Sequence, residues 1–229
     1  MPERGPGGAR PGYTARLVGD SLEVIGADVR VCRLCKLSQT RTRAVPGEGN
    51  PDAEILFIGE GPGFHEDQQG RPFVGAAGQL LNEMLGVIGL RREDVFITNV
   101  VRCRPPGNRD PLPDELAACD VYTQRQIAVL QPSLIVTLGR YSMARFIGQG
   151  SMRELHGRTR EWNGITCLAM YHPAAILRTP TPEMRRMYEE DFRKIPPLLA
   201  EARKKRAAAV AQTAEREAAA TRLDQLRLF

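Results

Sequence analysis

Ile55-Leu56-Phe57-Ile58-Gly59-Glu60-Gly61-Pro62-Gly63 runs from an apolar, strand-like segment straight into a turn built of glycine and proline. The turn continues as Phe64-His65-Glu66-Asp67-Gln68-Gln69-Gly70-Arg71-Pro72-Phe73-Val74-Gly75 and gives way to an amphipathic run from Ala76 to Ile88. A strand, an acid-bearing loop and a helix in that order put the loop at the carboxyl end of the strand, where open α/β sheets bind ligands. The glycines and prolines fix an irregular backbone, which lets the chain approach a flat or charged ligand closely.

Three more short runs share the strand character: Val95 to Thr98, Leu134 to Leu138 and Ile165 to Ala169. Helical patterns separate the four, chiefly Gly78 to Gly89, Pro113 to Leu130 and Arg140 to Ile147. This alternation predicts an α/β fold, a three-layer α/β/α domain with a central four-stranded parallel sheet. Ahead of the sheet, a helix is expected to start at Asp20 as N-cap, carrying Leu22, Ile25 and Val29 toward Cys32. Pro182 to Lys205 reads as a last helix, interrupted at Pro196-Pro197. Ala207 to Ala220 has no core face and reads as a solvated helix or a flexible tether. The expected organisation is a disordered tail rich in Gly, Pro and Arg over 1–16, a domain over 17–200 and a C-terminal tail over 201–229.

The 229 residues are 42% hydrophobic and 26% charged, a globular composition. No apolar stretch reaches the roughly 18 residues that suggest a membrane span, and Met1 to Gly12 lacks the apolar core of a signal peptide. The expectation is a cytoplasmic protein. Against 27 Asp and Glu stand 32 Lys and Arg, a net +5. The excess gathers in Arg102 to Arg109, Arg140 to Arg160 and Arg185 to Arg206, local fields that suit a polyanion.

Of five cysteines, Cys167 lies inside a strand-like run and reads as a core thiol. Cys32 and Cys35 have the two-residue gap that lets two thiolates reach one metal centre, and Cys103 and Cys119 bracket a proline-rich turn and a helix start. Nothing marks the chain as exported, which disfavours disulfides. A zinc ribbon usually repeats the close pair, whereas the second pair here is wide. Thiolates without histidine suit an iron-sulfur cluster at least as well. By spacing alone, zinc, iron-sulfur and unligated core thiols all stay open.

Three segments taken together carry a family likeness. They are the loop Gly59 to Gly75, the run Thr98-Asn99-Val100-Val101-Arg102-Cys103-Arg104-Pro105-Pro106, and Tyr171-His172-Pro173-Ala174. With Cys32, Cys35 and Cys119 they resemble the family-four, iron-sulfur uracil-DNA glycosylases, repair enzymes that remove uracil from DNA, over about Leu17 to Leu199. The resemblance implies a 4Fe-4S cluster, structural in role, held by Cys32, Cys35, Cys103 and Cys119. It also implies a monofunctional glycosylase that leaves an abasic site, acting as a monomer on single- or double-stranded DNA and associated with the nucleoid through it.

Such an enzyme takes its base out of the stack and reads its edge in a pocket. The resemblance makes Phe73 the stacking face for the flipped uracil and Asn99 the reader of O4 and N3–H, a donor–acceptor pair that mismatches cytosine. His172 would donate to O2 as charge develops on the leaving uracil. Glu66 would stand beside C5 and exclude the thymine methyl, while Glu60 would organise the pocket or its water, with Gly61 and Gly63 completing the wall. Distant relatives place a water-orienting aspartate one residue after Glu60, and the usual family pattern has alanine there; this chain has Gly61. The catalytic set implied is thus His172, Glu60 and Asn99. A loop Ala174 to Arg178 would enter the minor groove, with Leu177 or Arg178 as the wedge.

At the carboxyl end, Gln225-Leu226-Arg227-Leu228-Phe229 resembles the peptide by which bacterial repair proteins dock onto the sliding clamp. Leu226, Leu228 and Phe229, with Gln225, make sense on a long tether as anchors for a partner's pocket. Two rival functions follow from the same residues. One is a non-turnover uracil-DNA binder of the same superfamily, though relatives of that kind carry a basic, histidine-bearing insert that Arg102 to Pro113 lacks. The other is a nucleotide phosphohydrolase, disfavoured because the loop has no Lys-Ser/Thr ending.

Overall fold

Strands buried on both faces need apolar residues at nearly every position, and the four predicted runs meet that demand. The computed structural model describes residues 19–226, and side chains through 212. The strands are β1 (Glu48–Gly49), β2 (Ile55–Gly59), β3 (Phe96–Asn99), β4 (Leu134–Leu138), β5 (Thr159–Trp162) and β6 (Ile165–Met170). They form one sheet in the order β1-β3-β2-β4-β6-β5. Its centre, β3-β2-β4-β6, is parallel, and β1 and β5 add antiparallel edges, so the sheet has six strands rather than the four expected. Edge strands escaped the sequence reading because β1 is two residues long and β5, Thr-Arg-Glu-Trp, is largely exposed.

The helices are α1 (Leu22–Val31), α2 (Phe64–Gln69), α3 (Ala76–Val87), α4 (Pro113–Leu130), α5 (Arg140–Phe146), α6 (Met152–Leu155), α7 (Pro173–Arg178), α8 (Pro182–Arg193) and α9 (Ile195–Leu226). One sheet face packs Phe57, Ile97, Val136 and Leu168 against Leu81 and Leu85 of α3 and Tyr188 and Phe192 of α8. The opposite face packs Leu56, Ile58, Ile135 and Cys167 against Ile127 of α4 and Met143 and Phe146 of α5. A third cluster joins Ile25 and Val29 of α1 to Val101, Cys103, Cys119 and Tyr122. Cys167 is a core thiol, as read.

Two boundaries move for local reasons. Ser21, not Asp20, caps α1, its side chain accepting from Val24 N, because Asp20 is engaged by Arg125 at 2.6 Å. The break in the last helical stretch falls at Lys194, before the prolines: Pro196 and Pro197 sit in the first turn of α9, where a missing N–H costs nothing. α9 then continues without a break across residue 200.

Register sets the place of the site. Gly59 pairs with Asn99, Ile58 with Thr137, and Leu138 with Met170, so all four parallel strands end along one edge. From that edge leave the loop after β2, the run after β3, Gly139 and Tyr171-His172. β2 goes on to β3 on one side and is flanked by β4 on the other, a change of direction that opens a crevice at its carboxyl end.

Candidate active site and a cysteine-lined cavity

A cleft of about 630 Å³ occupies this edge, within the usual range for small-molecule sites. Glu60, Gly61, Gly63, Glu66, Phe73, Asn99, His172 and Arg178 all line it. Leu177 does not; it projects from α7 and is 44% exposed. The segment expected as a loop, 174–178, is helical, because Pro173 stands at the first helical position and His172 caps it.

Asn99 ends β3 and is 1% exposed, yet its Oδ1 has no hydrogen-bond partner. A buried carbonyl oxygen left single costs free energy unless a ligand satisfies it. Gly59, its strand neighbour, makes the fit possible: a Cβ there would overlap Asn99 Oδ1 and stand 2.7 Å from a ring carbon of Phe73.

His172 accepts a hydrogen bond at Nδ1 from Ala174 N, 3.1 Å away. A ring nitrogen that accepts carries no proton, so the proton of the neutral ring is on Nε2. Burial, aided by the nearby Arg178 charge and opposed by Glu66, pushes its pKa down to about 4. The ring therefore stays neutral at ordinary pH and offers Nε2–H as its donor.

Phe73 is 5% exposed and stacks on His172, with ring centroids 5.4 Å apart and planes at 25°. Its backbone lies at φ 52°, a region that costs a residue with a Cβ on the order of 1–3 kcal/mol. The surroundings hold it there. Arg92 donates through Nη1 to Phe73 O at 3.1 Å and through Nη2 to Pro72 O, and its own Nε is fixed by Glu48 at 2.7 Å. Gly78 in α3 passes so close that any side chain would overlap the Phe73 carbonyl. Arg92 lies 19 positions beyond Phe73, outside the cleft lining, and no local sequence signal marked it.

The two carboxylates play different parts. Glu66 is saturated by its own loop: Oε1 accepts from Val74 N and Gly75 N at 2.8 and 2.9 Å, and Oε2 from Gly63 N at 3.1 Å. Those bonds close the loop that carries Phe73. Glu60 places Oε1 against the start of α5, accepting from Arg140 N at 2.8 Å. Among the described residues its Oε2 has no hydrogen-bond partner, and burial raises its pKa despite the helix amides. A Cβ at Gly61 would stand 2.8 Å from Val101 Cγ2, so the position beside Glu60 has little room for a side chain.

Asn108 to Pro111, Arg140, Met152 and Tyr171 also line the cleft, although the sequence assigned none of them a role in the site. Arg140 ion-pairs there with Asp110. The basic character of 102–109 was a usable signal; the partnership across the cleft was not.

On the α1/α4 side, Cys32, Cys35, Cys103 and Cys119 line one cavity together with Arg41, Arg102 and Tyr122. Among the described residues no three side chains stand in single-ion geometry. The sulfurs already accept from cations and amides: Arg41 Nη1 reaches Cys103 Sγ at 3.0 Å, and Arg102 N reaches Cys119 Sγ at 3.3 Å. Burial pushes the Cys103 thiol up to about 11 and raises those of Cys35 and Cys119. No helix among the described residues is long and apolar enough to cross a membrane.

The family model of the uracil DNA glycosylase superfamily matches residues 46–195, from just before β1 to the start of α9. A type-4 uracil-DNA glycosylase of Sulfurisphaera tokodaii is 50% identical over 186 residues, covering 77% of this chain and 84% of its own. Those of Saccharolobus solfataricus and Archaeoglobus fulgidus are each 48% identical over 186 residues, covering 77% of this chain and 85% and 92% of theirs. The matched span contains the whole cleft, and the chain belongs to the uracil-DNA glycosylase superfamily and, within it, to the type-4 uracil-DNA glycosylases.

Proposed function

We propose that this protein is a monofunctional uracil-DNA glycosylase: it hydrolyses the N-glycosidic bond of uracil, the product of cytosine deamination, and leaves an abasic site from which base excision repair starts. The observation that carries the reading is Asn99, whose buried Oδ1 lacks a partner at the floor of the cleft. Uracil N3–H supplies the missing donor while Asn99 Nδ2 donates to O4; cytosine, with an acceptor at N3 and a donor at N4, repels both. Glu66, in the loop wall, provides the steric check at C5, and Gly61 and Gly63 let backbone line the pocket.

In the reaction the C1′–N1 bond breaks with its electron pair going to uracil, and the sugar gains oxocarbenium character. His172 Nε2–H donates to uracil O2 as negative charge develops; a preorganised donor of this kind is worth about 3 kcal/mol. Water then adds to C1′, and the proton it loses goes to the departing uracil anion, which leaves as neutral uracil. Glu60, which lines the cleft and engages the start of α5 through Oε1, is the group we assign to hold that water. Phe73 provides the stacking face for the base, and Leu177 and Arg178 near the end of α7 fill the space it vacates in the duplex.

The cysteine cavity is read as the seat of the 4Fe-4S cluster, with Cys32, Cys35, Cys103 and Cys119 as ligands. Four cysteines without a histidine line the same cavity, and thiolate ligands of that kind suit an iron-sulfur centre. When bound, the cluster ties the segment after α1 to the run after β3 and to α4. The domain is taken as 17–200, with tails over 1–16 and 201–229, in a cytoplasmic monomer that meets the nucleoid through DNA. The proposed clamp peptide includes Gln225 and Leu226, whose side chains are not described, and Leu228 and Phe229, which lie outside the described residues, as does the tail over 1–16.

The test is incubation with a uracil-bearing oligonucleotide, followed by measurement of free uracil and alkali-labile sites. Release of uracil is expected. Tight binding without release would instead favour the non-turnover binder, and neither binding nor release would reject the assignment.

A further inference from the structure

Arg102 is the largest of the fully buried side chains, and its charge has no anion. Nη2 donates to Thr123 Oγ1 at 3.1 Å and to Gln126 Oε1 at 2.8 Å, both neutral acceptors. Nε and Nη1 have no partner at all. Among the described residues no carboxylate lies within ion-pair distance, although the chain pairs Arg109, Arg125 and Arg145 with acids nearby on α1, α4 or their approaches. A fold rarely keeps an interior guanidinium unpaired, because the lost hydration is not repaid by neutral dipoles.

What surrounds Arg102 is the cysteine cavity. Arg102 lines that cavity, directly precedes Cys103, and donates through its backbone N–H to Cys119 Sγ. A second cation approaches from another part of the cavity wall: Arg41 donates to Cys103 Sγ and is braced by the carbonyl oxygens of Arg30 and Cys32 at 3.0 and 2.8 Å. Four thiolates bring more negative charge than an iron-sulfur core offsets, so the assembled centre is an anion whose potential depends on net charge and on hydrogen bonds to sulfur. The geometry points to Arg102 as the built-in counter-charge of that centre, its unpaired Nε and Nη1 donors serving the sulfurs, with Arg41 as a weaker second. This rests on the cluster reading above. Thr123 and Gln126 then act as the mount that aims the guanidinium. A nearby positive charge favours the form of the centre that carries the extra electron and opposes loss of anionic sulfur ligands.

The experiment uses the cluster-loaded protein, purified without oxygen, as wild type and as Arg102→Met, Arg102→Lys, Arg41→Gln and Thr123→Val. Two quantities are read: the midpoint potential of the visible band under mediated reduction, and the rate at which a chelator bleaches it. Arg102→Met should shift the potential negative and bleach at least ten times faster; Arg102→Lys should retain most of the wild-type behaviour. Arg41→Gln should move both quantities the same way by less, and Thr123→Val, which keeps the charge, should leave the potential in place. If Arg102→Met does not fold, the order wild type, Arg41→Gln carries the test together with the near-normal lysine variant. A potential unmoved in Arg102→Met and Arg41→Gln overturns the counter-charge and leaves Arg102 as a strut to α4. A wild-type protein without iron or colour overturns the cluster itself, a different outcome from an iron-bearing wild type whose variants are unshifted.

Discussion

Burying the Asn99 amide with Oδ1 unpaired costs about 1–3 kcal/mol, a cost that binding a base with an N–H in the right place removes. Asn99→Ala should therefore lower excision by about 10²–10³-fold without lowering the melting temperature, since the unpaired oxygen goes with the side chain. A clear loss of stability in a thermal melt would mean that Asn99 holds the fold rather than the base. His172 gives the complementary case. Folded, it takes its proton only near pH 4, whereas an unfolded histidine does so near pH 6.5. Between those values the unfolded chain binds the extra proton, so this group's contribution is complete above about pH 6.5 and is lost as pH falls toward 4. The loss amounts to about 3 kcal/mol. Unfolding by urea across pH 4–7 should show this slope in wild type and lack it in His172→Asn. Glu60 titrates above its ordinary value because it is buried, so the acid limb of kcat/KM should belong to it and flatten in Glu60→Gln. These roles were legible only in part: Asn99 and His172 stand at strand ends that the pattern of runs located, but the unpaired oxygen and the Nδ1 acceptor depend on packing from segments remote in the chain.

Helix α3 supports the Phe73 turn from below, and two of its glycines give a matched test. Glycine inside a helix is worth up to about 1 kcal/mol less than alanine. Nothing lies within 4 Å of a Cβ at Gly86, so Gly86→Ala should stabilise the protein by roughly that amount. At Gly78 the same change drives a methyl group into the Phe73 carbonyl, and the sign should reverse, with stability and excision both falling. Equal effects of the two substitutions on stability would show that the turn yields freely. Arg92→Ala, which releases the Phe73 and Pro72 carbonyls, should likewise raise KM for uracil-DNA while leaving the melting temperature within a few degrees. The four parallel strands and the long helix from Pro113 were readable because burial on both faces, or on one stripe, forces composition. The β5–β6 hairpin was missed although Asn163-Gly164, at φ 49° and 78°, is a strong two-residue turn signal; its exposed, charged strand hid it. α7 was taken for a loop because its six residues are too few to show a period, and the His172-Pro173 cap that starts it was read for chemistry instead.

Across the whole molecule the catalytic cleft and the long C-terminal helix leave from opposite ends of the sheet. Arg203 binds Glu54 just before β2, and Arg206 donates to Gln131 O just before β4, so α9 is fastened at the amino-terminal edge of the parallel strands. Lys205 adds a contact to Glu161 on edge strand β5. The domain boundary read at 200 from composition thus falls within a helix whose next two turns still grip the sheet; composition reports solvation, and a charged residue that pairs across a surface looks the same as one that does not. A partner held by the far end of α9 would meet the enzyme away from the cleft and leave it open to DNA. Ending the chain after residue 207 should keep folding stability and uracil excision on short oligonucleotides at wild-type levels while abolishing the sliding-clamp binding proposed for the C-terminal peptide. Ending it after 200 removes Arg203, Lys205 and Arg206 and should lower the melting temperature as well. Since exposed ion pairs contribute only about 0–1 kcal/mol each, that second loss should be modest, a few degrees in a melt. Clamp binding that survives the cut at 207 would place the docking surface on the folded domain and reject the C-terminal peptide.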